Sequence, residues 1–469
     1  MSDAVTLERR ANEALACFKA YDIRGRVGRD LTAELAWRIG VGFAEVMQPE
    51  TVVVGRDGRL SGPLLGAALC DGLTAAGVDV IDLGVVGTEE VYFAVAHLGA
   101  GAGVMVTASH NPAGDNGMKM VGPRSRPLKS AELSAIKKRV RNTRGAHQAR
   151  GACVPMSLRD VFARHIVGLV DPEALAAAKL VVNAGHGVAG ASFDAVEAEL
   201  ATRGVALDVV RLNHLPDGRF PKGVPNPLLP AMRGETAGAV VQAGAAMGVA
   251  WDGDFDRCFL FDERGTFVDG AYVVALLARA AIASAPGAAV LHDPRVVWPI
   301  RDTVSAAGGR ARLTKTGHVH MKRAMHESGA VYGGEMSGHH YFRDFMCCDS
   351  GMLPWLKVLE LMGRERATLA DLVQDYEARH PVSGEMNYRV ADAEAAINGV
   401  RNAIGSKALA EDRFDGVSLT FDRWRLNLRA SSTEPLLRLN VETRADTALL
   451  SDRVAELDRL LRACGADRV

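Results

Sequence analysis

Residues 52–58 read Val-Val-Val-Gly-Arg-Asp-Gly, a β-branched run that ends in a polar turn. A helical stretch follows through Leu73, then Gly77 and a second apolar run, Val78-Asp79-Val80-Ile81. Strand, turn, helix, strand is the order of a βαβ unit. The same order returns at Leu180-Val181-Val182, with the turn Asn183-Ala184-Gly185-His186, a helix to about Leu200, Gly204 and Leu207-Asp208-Val209-Val210. A third copy runs from Ala289-Val290-Leu291 through His292-Asp293-Pro294-Arg295 and a helix to about Ala307, then Gly308-Gly309 and Ala311-Arg312-Leu313. Each copy is followed by one more apolar strand entering a polar loop: Val104-Met105-Val106 into Thr107–Pro112, Gly248-Val249-Ala250 into Asp252–Arg257, and Ala330-Val331-Tyr332 into Gly334–His339. The period is too long and irregular for a solenoid; three related α/β domains with mixed, mostly parallel sheets account for it. Ligands of such sheets gather outside the carboxyl ends of the strands, so domains arranged around a central cleft would turn all three loops toward one ligand.

The last segment breaks the pattern. Val417–Phe421, Trp424–Leu428 and Leu436–Val441 read as strands joined by turns, and Leu449, Leu450, Val454, Leu457, Leu460 and Leu461 recur at helical spacing. A smaller C-terminal α+β domain is expected, with a small antiparallel sheet and a covering helix. The domains are predicted as 1–160, 161–266, 267–382 and 383–469.

A chain of 469 residues, 48% of them hydrophobic, can fill several cores. Its 55 basic and 56 acidic residues leave a formal net charge of −1, which favours neither nucleic acid nor an anionic membrane, so an anionic ligand must be met by local basic groups. The seven cysteines are scattered apart from adjacent Cys347 and Cys348, a spacing that suits neither zinc nor a disulfide framework; reduced thiols in a cytoplasm are expected. Met1–Arg10 lacks the apolar core of a secretory signal. Ala271–Leu291, interrupted by Arg279, Ser284, Pro286 and Gly287, begins as a buried helix rather than a membrane span.

Two of the polar loops carry recognisable chemistry. Asp252, Asp254 and Asp256 alternate, and Gly253 permits a turn that converges them; carboxylates held together raise one another's pKa unless a cation compensates. Hard oxygen ligands favour Mg²⁺ or Mn²⁺. Glu263 falls at the twelfth position of a calcium-loop count, but Arg257 stands at the sixth, where that loop needs glycine, and Cys258–Phe261 reads as a strand. Ser109, in Thr107-Ala108-Ser109-His110-Asn111-Pro112, can cap a helix or carry a phosphoryl group, and Lys119 can reach the same loop or stay solvated. No serine sits in Gly-x-Ser-x-Gly. Gly185-His186-Gly187-Val188-Ala189-Gly190, with Asp208 and Arg211 beyond it, offers a rival NADP-dependent oxidoreductase, although the same turn lacks the glycines in the other two repeats. A non-catalytic sugar-phosphate binder is a further alternative, disfavoured because Ser109 and the three aspartates are all present.

Thr107–Pro112, Asp252-Gly253-Asp254-Phe255-Asp256-Arg257, Gly334-Glu335-Met336-Ser337-Gly338-His339 and Arg429-Ala430-Ser431-Ser432-Thr433-Glu434-Pro435 together resemble the α-D-phosphohexomutase family, in matching order from Lys19–Gly25 to the last domain. Glu335-Met336-Ser337 is similar to the phosphomannomutase/phosphoglucomutase branch, and His339–Phe345 with Cys348–Met352 to bacterial phosphomannomutases that supply GDP-mannose pathways. The resemblance implies a cytoplasmic isomerase, monomer or dimer, that interconverts mannose 6-phosphate and mannose 1-phosphate through phosphorylated Ser109 and a hexose 1,6-bisphosphate, which also serves as activator; a phosphoglucomutase or a dual-specificity hexose phosphomutase is the alternative. It implies Mg²⁺ held by phosphorylated Ser109, Asp252, Asp254 and Asp256. By the same resemblance Arg429, Ser431, Ser432 and Thr433 hold the idle phosphate, Glu335 and Ser337 the sugar hydroxyls, and Lys119 and His110 transfer protons. Tyr21, Arg24, Arg257, Gly317, His318 and His339 match further substrate-binding positions, as does Arg295, where several relatives carry lysine. Ser432 replaces the family's usual asparagine, keeping a hydroxyl but losing an amide.

Overall fold

The computed structural model describes residues 15–143, 150–175, 178–431 and 436–469. The chain forms two compact units, Met1–Phe267 with Tyr341–Arg366, and Val268–His340 with Ala367–Val469.

In the first unit, the opening βαβ pattern becomes Thr51–Arg56, the helix Gly62–Ala75 and Asp79–Val85. Thr51–Arg56 lies at the middle of a six-stranded sheet, parallel to Asp79–Val85 on one side and to Ala102–Val106 on the other. Asp115–Val121 then pairs antiparallel with Ala102–Val106, placing Lys119 opposite Met105. Ile23–Arg26 and Cys153–Pro155 form the two edges. The central strands bury nearly every side chain, as expected of a sheet covered by helices on both faces. The second repeat gives a four-stranded sheet in which Lys179–Asn183 runs parallel to both Asp208–Leu212 and Met247–Trp251, and Cys258–Phe261 returns antiparallel. Its helix spans Ala189–Thr202. Tyr341–Arg366 adds a short hairpin, Tyr341 opposite Asp349, and the helix Met352–Glu365.

In the second unit, Ala289–His292 runs parallel between Arg310–Leu313 and Tyr332–Gly334. The apolar stretch at 271 is the helix Gly270–Ser284, N-capped by Asp269 and largely buried. No helix among the described residues is long and apolar enough to cross a membrane. The last domain is richer than the pattern suggested: six strands, all neighbouring pairs antiparallel, with helices Ala393–Ile404 and Thr447–Ala463. Val400, Leu457 and Leu461 pack with Leu426, Leu428 and Leu439 in its core. Four domains, each with its own sheet, thus bear out the architecture expected from the repeats.

Candidate active site

Ser109 leaves the buried strand Ala102–Val106 in a tight loop and adopts φ of 50°, a left-handed conformation uncommon for serine. Its N–H donates to Thr107 Oγ1 at 2.8 Å. Its hydroxyl donates to Asp252 Oδ2 at 2.6 Å and stands 3.2 Å from His110 Nδ1. The loop Asp252–Arg257 begins where Met247–Trp251 ends, and Phe255 N–H donates back to the Asp252 carbonyl at 3.2 Å, so the aspartates converge through a turn rather than along a strand. A Cβ on Gly253 would stand only 2.7 Å from the Ser109 carbonyl oxygen, so a larger residue would force the two loops apart.

Asp252, Asp254 and Asp256 are all but inaccessible, and one oxygen from each lies within 4.8 Å of the others. Asp254 Oδ1 is buried without a hydrogen-bond partner. Three buried carboxylates, one with an unfilled oxygen, are a hard donor set suited to a divalent cation. Burial and the charges of Asp254 and Asp256 push the Asp252 carboxyl up to about 7. Burial also works to raise Asp254, but Lys119 outweighs it and holds that carboxyl below the usual range. Lys119 reaches across from the antiparallel strand to Asp254 at 2.7 Å and to Asp256. Burial lowers the lysine's affinity for its proton, yet the two carboxylates more than reverse this and raise it. His110 is driven well below the usual imidazole range, first by burial and then by Arg257 and Arg24, so its ring is neutral. Arg257 Nε lies 3.6 Å from Asp252. Arg24 pairs with Asp22 at 2.7 Å and donates to Asn111 Oδ1 at 2.8 Å, joining the serine loop to the first strand; Tyr21, three residues before it, is partly buried.

Three residues here had no motif to announce them. Thr88 Oγ1 donates to Asp254 Oδ2 at 2.6 Å, and its own N–H donates to the Asp254 carbonyl at 3.1 Å. Asp57 accepts from Thr107 at 2.7 Å, and Arg59 lies beneath the serine loop. Asp57 and Arg59 do belong to the turn after the first repeated strand, where a buried polar group could be anticipated.

The second unit gathers the other set. Glu335 is buried and accepts from Gly317 N–H at 2.8 Å, fixing Gly317 at φ of 117° as the cap of the helix His318–Ser328. Its carbonyl accepts from Gly338, and its N–H donates to the His339 carbonyl at 2.9 Å, which closes the loop around Ser337. Arg295 donates to Asp293 at 3.0 and 2.8 Å, to Ser337 Oγ at 3.1 Å and to Glu385 at 3.2 Å. Burial lowers its proton affinity, but Asp293 and Glu385 reverse the sign. Glu385 also lies 3.7 Å from Arg429 and 3.5 Å from Arg438. Burial, joined by Arg295, lowers the Arg429 value from the usual guanidinium range. Ser431 N–H donates to Leu436 O at 2.8 Å; Ser432 and Thr433 lie outside the described residues. Glu385 is the residue that motif reading passed over: it stands alone between the last two domains in sequence, with no neighbour to suggest three arginines.

The nucleotide-type turn has a different explanation. A Cβ on Gly187 would meet Gly253 O at 2.7 Å and one on Gly190 would meet His214 O at 2.1 Å, so these glycines serve close packing. Asp208 pairs with Lys179 and Arg211 with Asp194.

Four family models match this chain in succession between residues 16 and 460. They are described as phosphoglucomutase/phosphomannomutase alpha/beta/alpha domains I, II and III and the C-terminal domain, over residues 16–146, 160–265, 269–379 and 385–460. The chain belongs to the phosphoglucomutase/phosphomannomutase family. Members similar to it include a phosphomannomutase of Escherichia coli K12, 48% identical over 95% of this chain and 99% of that one. Another, from Xanthomonas campestris and named phosphohexose mutases, is 50% identical over 96% of this chain and 99% of that one. Among solved structures, a phosphoglucomutase/phosphomannomutase family protein from Burkholderia thailandensis superposes with a TM-score of 0.83 at 32% identity, covering 97% of this chain and 99% of that chain. Within this family, the serine loop, the aspartate loop and the Glu335 loop each leave the carboxyl end of a strand in a separate α/β domain.

Proposed function

We propose that the protein is a phosphomannomutase, an isomerase that reversibly interconverts mannose 6-phosphate and mannose 1-phosphate through a phosphoserine at position 109. The observation that carries this reading is the Ser109 hydroxyl, held 2.6 Å from Asp252 within the buried three-aspartate cluster. Support also comes from the relatives named phosphomannomutase, 44–49% identical over nearly the whole chain.

In the forward direction the phosphoryl group leaves Ser109 Oγ for the free hydroxyl of a hexose monophosphate; the hydroxyl's proton ends on the departing Ser109 Oγ, giving a hexose 1,6-bisphosphate and free serine. The other phosphoryl group then returns to Ser109, leaving the isomeric monophosphate. Asp252, Asp254, Asp256 and the phosphorylated Ser109 would hold Mg²⁺, which supplies charge neutralisation during the transfer. His110, neutral and 3.2 Å from Ser109 Oγ, is placed to accept a proton there; Lys119 serves as a proton donor or as a fixed positive charge. Arg24, Arg257 and Tyr21 bind the reacting end of the substrate. Arg429, Ser431, Ser432 and Thr433 hold the phosphate that is not reacting, while Glu335, Ser337, Gly317, His318 and His339 bind the sugar. Arg295 acts through Ser337 and Glu385, both of which it touches. Bisphosphate would act as activator by restoring enzyme that has lost its phosphate, and a cytoplasmic GDP-mannose supply is the setting assigned. A coupled assay with mannose 1-phosphate, glucose 1-phosphate and glucosamine 1-phosphate, primed with bisphosphate, tests this reading. Turnover highest on mannose 1-phosphate is expected, and no turnover on any of the three would overturn it.

A further inference from the structure

Arg59 is 1% exposed, and both of its terminal nitrogens are spent on one loop. Nη1 donates to the carbonyls of Pro112 at 2.7 Å and Asp115 at 2.9 Å. Nη2 donates to those of Ser109 at 2.7 Å and Asn111 at 2.6 Å. Nε stands 3.2 Å from Asp57 Oδ2, and the guanidinium carbon lies 5.3 Å from the centre of the Phe220 ring, in the following domain. Four carbonyls of residues 109–115 thus converge on one buried cation. Without it they would repel one another and lose the one buried donor that all four share. The far side of the same loop is tied by Thr107 Oγ1, which accepts the Ser109 N–H at 2.8 Å while donating to Asp57 at 2.7 Å.

Resting on the phosphomutase reading above, we infer that Arg59 is a positioning residue for phosphoryl transfer: its guanidinium is the template that fixes the loop carrying Ser109 in the left-handed turn from which Oγ faces the aspartate cluster. It touches no reacting atom. A lysine cannot replace it, because three tetrahedral donors at a single nitrogen cannot serve four acceptors arranged around a planar fork. The strain at Ser109 is the reason a template is needed, since a residue with φ of 50° relaxes when its neighbours stop holding it.

The test is Arg59→Lys in the full-length, phosphorylated protein, read by steady-state kinetics and by hydrogen exchange. The expected result is a fall in kcat of about 100-fold with KM for mannose 1-phosphate within about threefold, since a misplacement near 1 Å costs that much in rate. Amides between 108 and 115 should exchange faster while the rest of the sheet is unchanged. Arg59→Gly should recover part of its kcat in millimolar methylguanidinium but not in methylammonium. Thr107→Val, which cuts the loop's other tie without touching the arginine, should give the same kcat-only loss and stands in if the Arg59 variants are insoluble. A wild-type kcat with unchanged exchange in Arg59→Lys overturns the inference, as does a general loss of stability with no change confined to 108–115. Wild-type protein inactive on every hexose phosphate would instead sink the mutase reading, and the exchange comparison would still decide whether Arg59 sets the loop.

Discussion

Lys119 donates to Asp254 at 2.7 Å and bonds Asp256 as well, so this lysine is bound to two of the carboxylates that would hold a metal. It offsets part of the cluster's negative charge and competes with a cation for the same oxygens. Lys119→Met is therefore expected to bind Mg²⁺ no more weakly than wild type while losing at least about 100-fold in kcat, the scale of a proton-transfer or fixed-charge contribution. Calorimetric Mg²⁺ titration beside a mutase assay checks both halves. Weaker Mg²⁺ binding in the variant would show that the lysine organises the cluster rather than competing with the ion.

Ser109→Ala should abolish turnover and leave the fold intact, because the hydroxyl's partners are loop groups and Asp252, not the sheet core. Near-native activity in this variant, with bisphosphate present, would falsify the nucleophile assignment. Mass spectrometry should find one phosphate on the wild-type loop and none on the variant.

Thr88→Val removes a 2.6 Å hydrogen bond to Asp254 while conserving volume. Groups that orient metal ligands typically contribute 10–100-fold to affinity, so the Mg²⁺ concentration for half-maximal activity should rise by about that factor. An unchanged Mg²⁺ dependence would show that Asp254 is held by Lys119 alone.

Glu385 is the one carboxylate that Arg295, Arg429 and Arg438 all approach within 4 Å among the described residues. Glu385→Gln should cost about 3 kcal/mol of stability, the lower range for breaking a buried ion pair. Inorganic phosphate should return part of that loss, because it supplies the missing negative charge. Urea melts with and without phosphate decide it, and equal phosphate stabilisation of variant and wild type would count against the cluster as an anion site.

His292 and His340 are buried neutral, held down to about 4 and about 3 by burial, against an ordinary value of 6.5. A depressed folded value means that stability is fully present above pH 6.5, falls as the unfolded chain takes up protons the fold refuses, and is wholly lost below the folded value. Between pH 6.5 and 5 each group should cost about 1–2 kcal/mol. His340→Asn, which keeps a polar group beside the Tyr332 hydroxyl now 2.7 Å from the imidazole, should show a shallower slope of stability against pH over that window; an identical slope would exclude the histidine as its source.

The repeated strand-turn-helix-strand order was plain in the sequence because parallel strands buried on both faces are unbroken apolar runs, as at Val52–Val54 and Val181–Val182. The loops at their carboxyl ends carried their chemistry in adjacent letters. What escaped were partners distant along the chain. Thr88 stands 166 residues from Asp254, and neither composition nor period links them. Glu385 meets Arg295 across 90 residues. At one end of the last sheet, Met386–Arg389 and the edge strand Asp467–Arg468 are too short to make a pattern; the first is recruited by the long strand Leu436–Thr443 and the second by the first.

Tyr341–Arg366 follows the third repeat in sequence but belongs to the first unit. There Trp355 lies 5.4 Å from Phe193, Gly351 O receives the Trp251 indole N–H at 2.8 Å, and Glu89 accepts the N–H groups of Gly351 and Met352. A gene cut at the end of the second repeat would strip these partners from the strand that leads into Asp252. On a ribosome, the nascent first half must therefore wait for about 100 further residues, from Phe267 to Arg366, before its packing can finish, a delay set by the threading of the chain and not by the chemistry of the site.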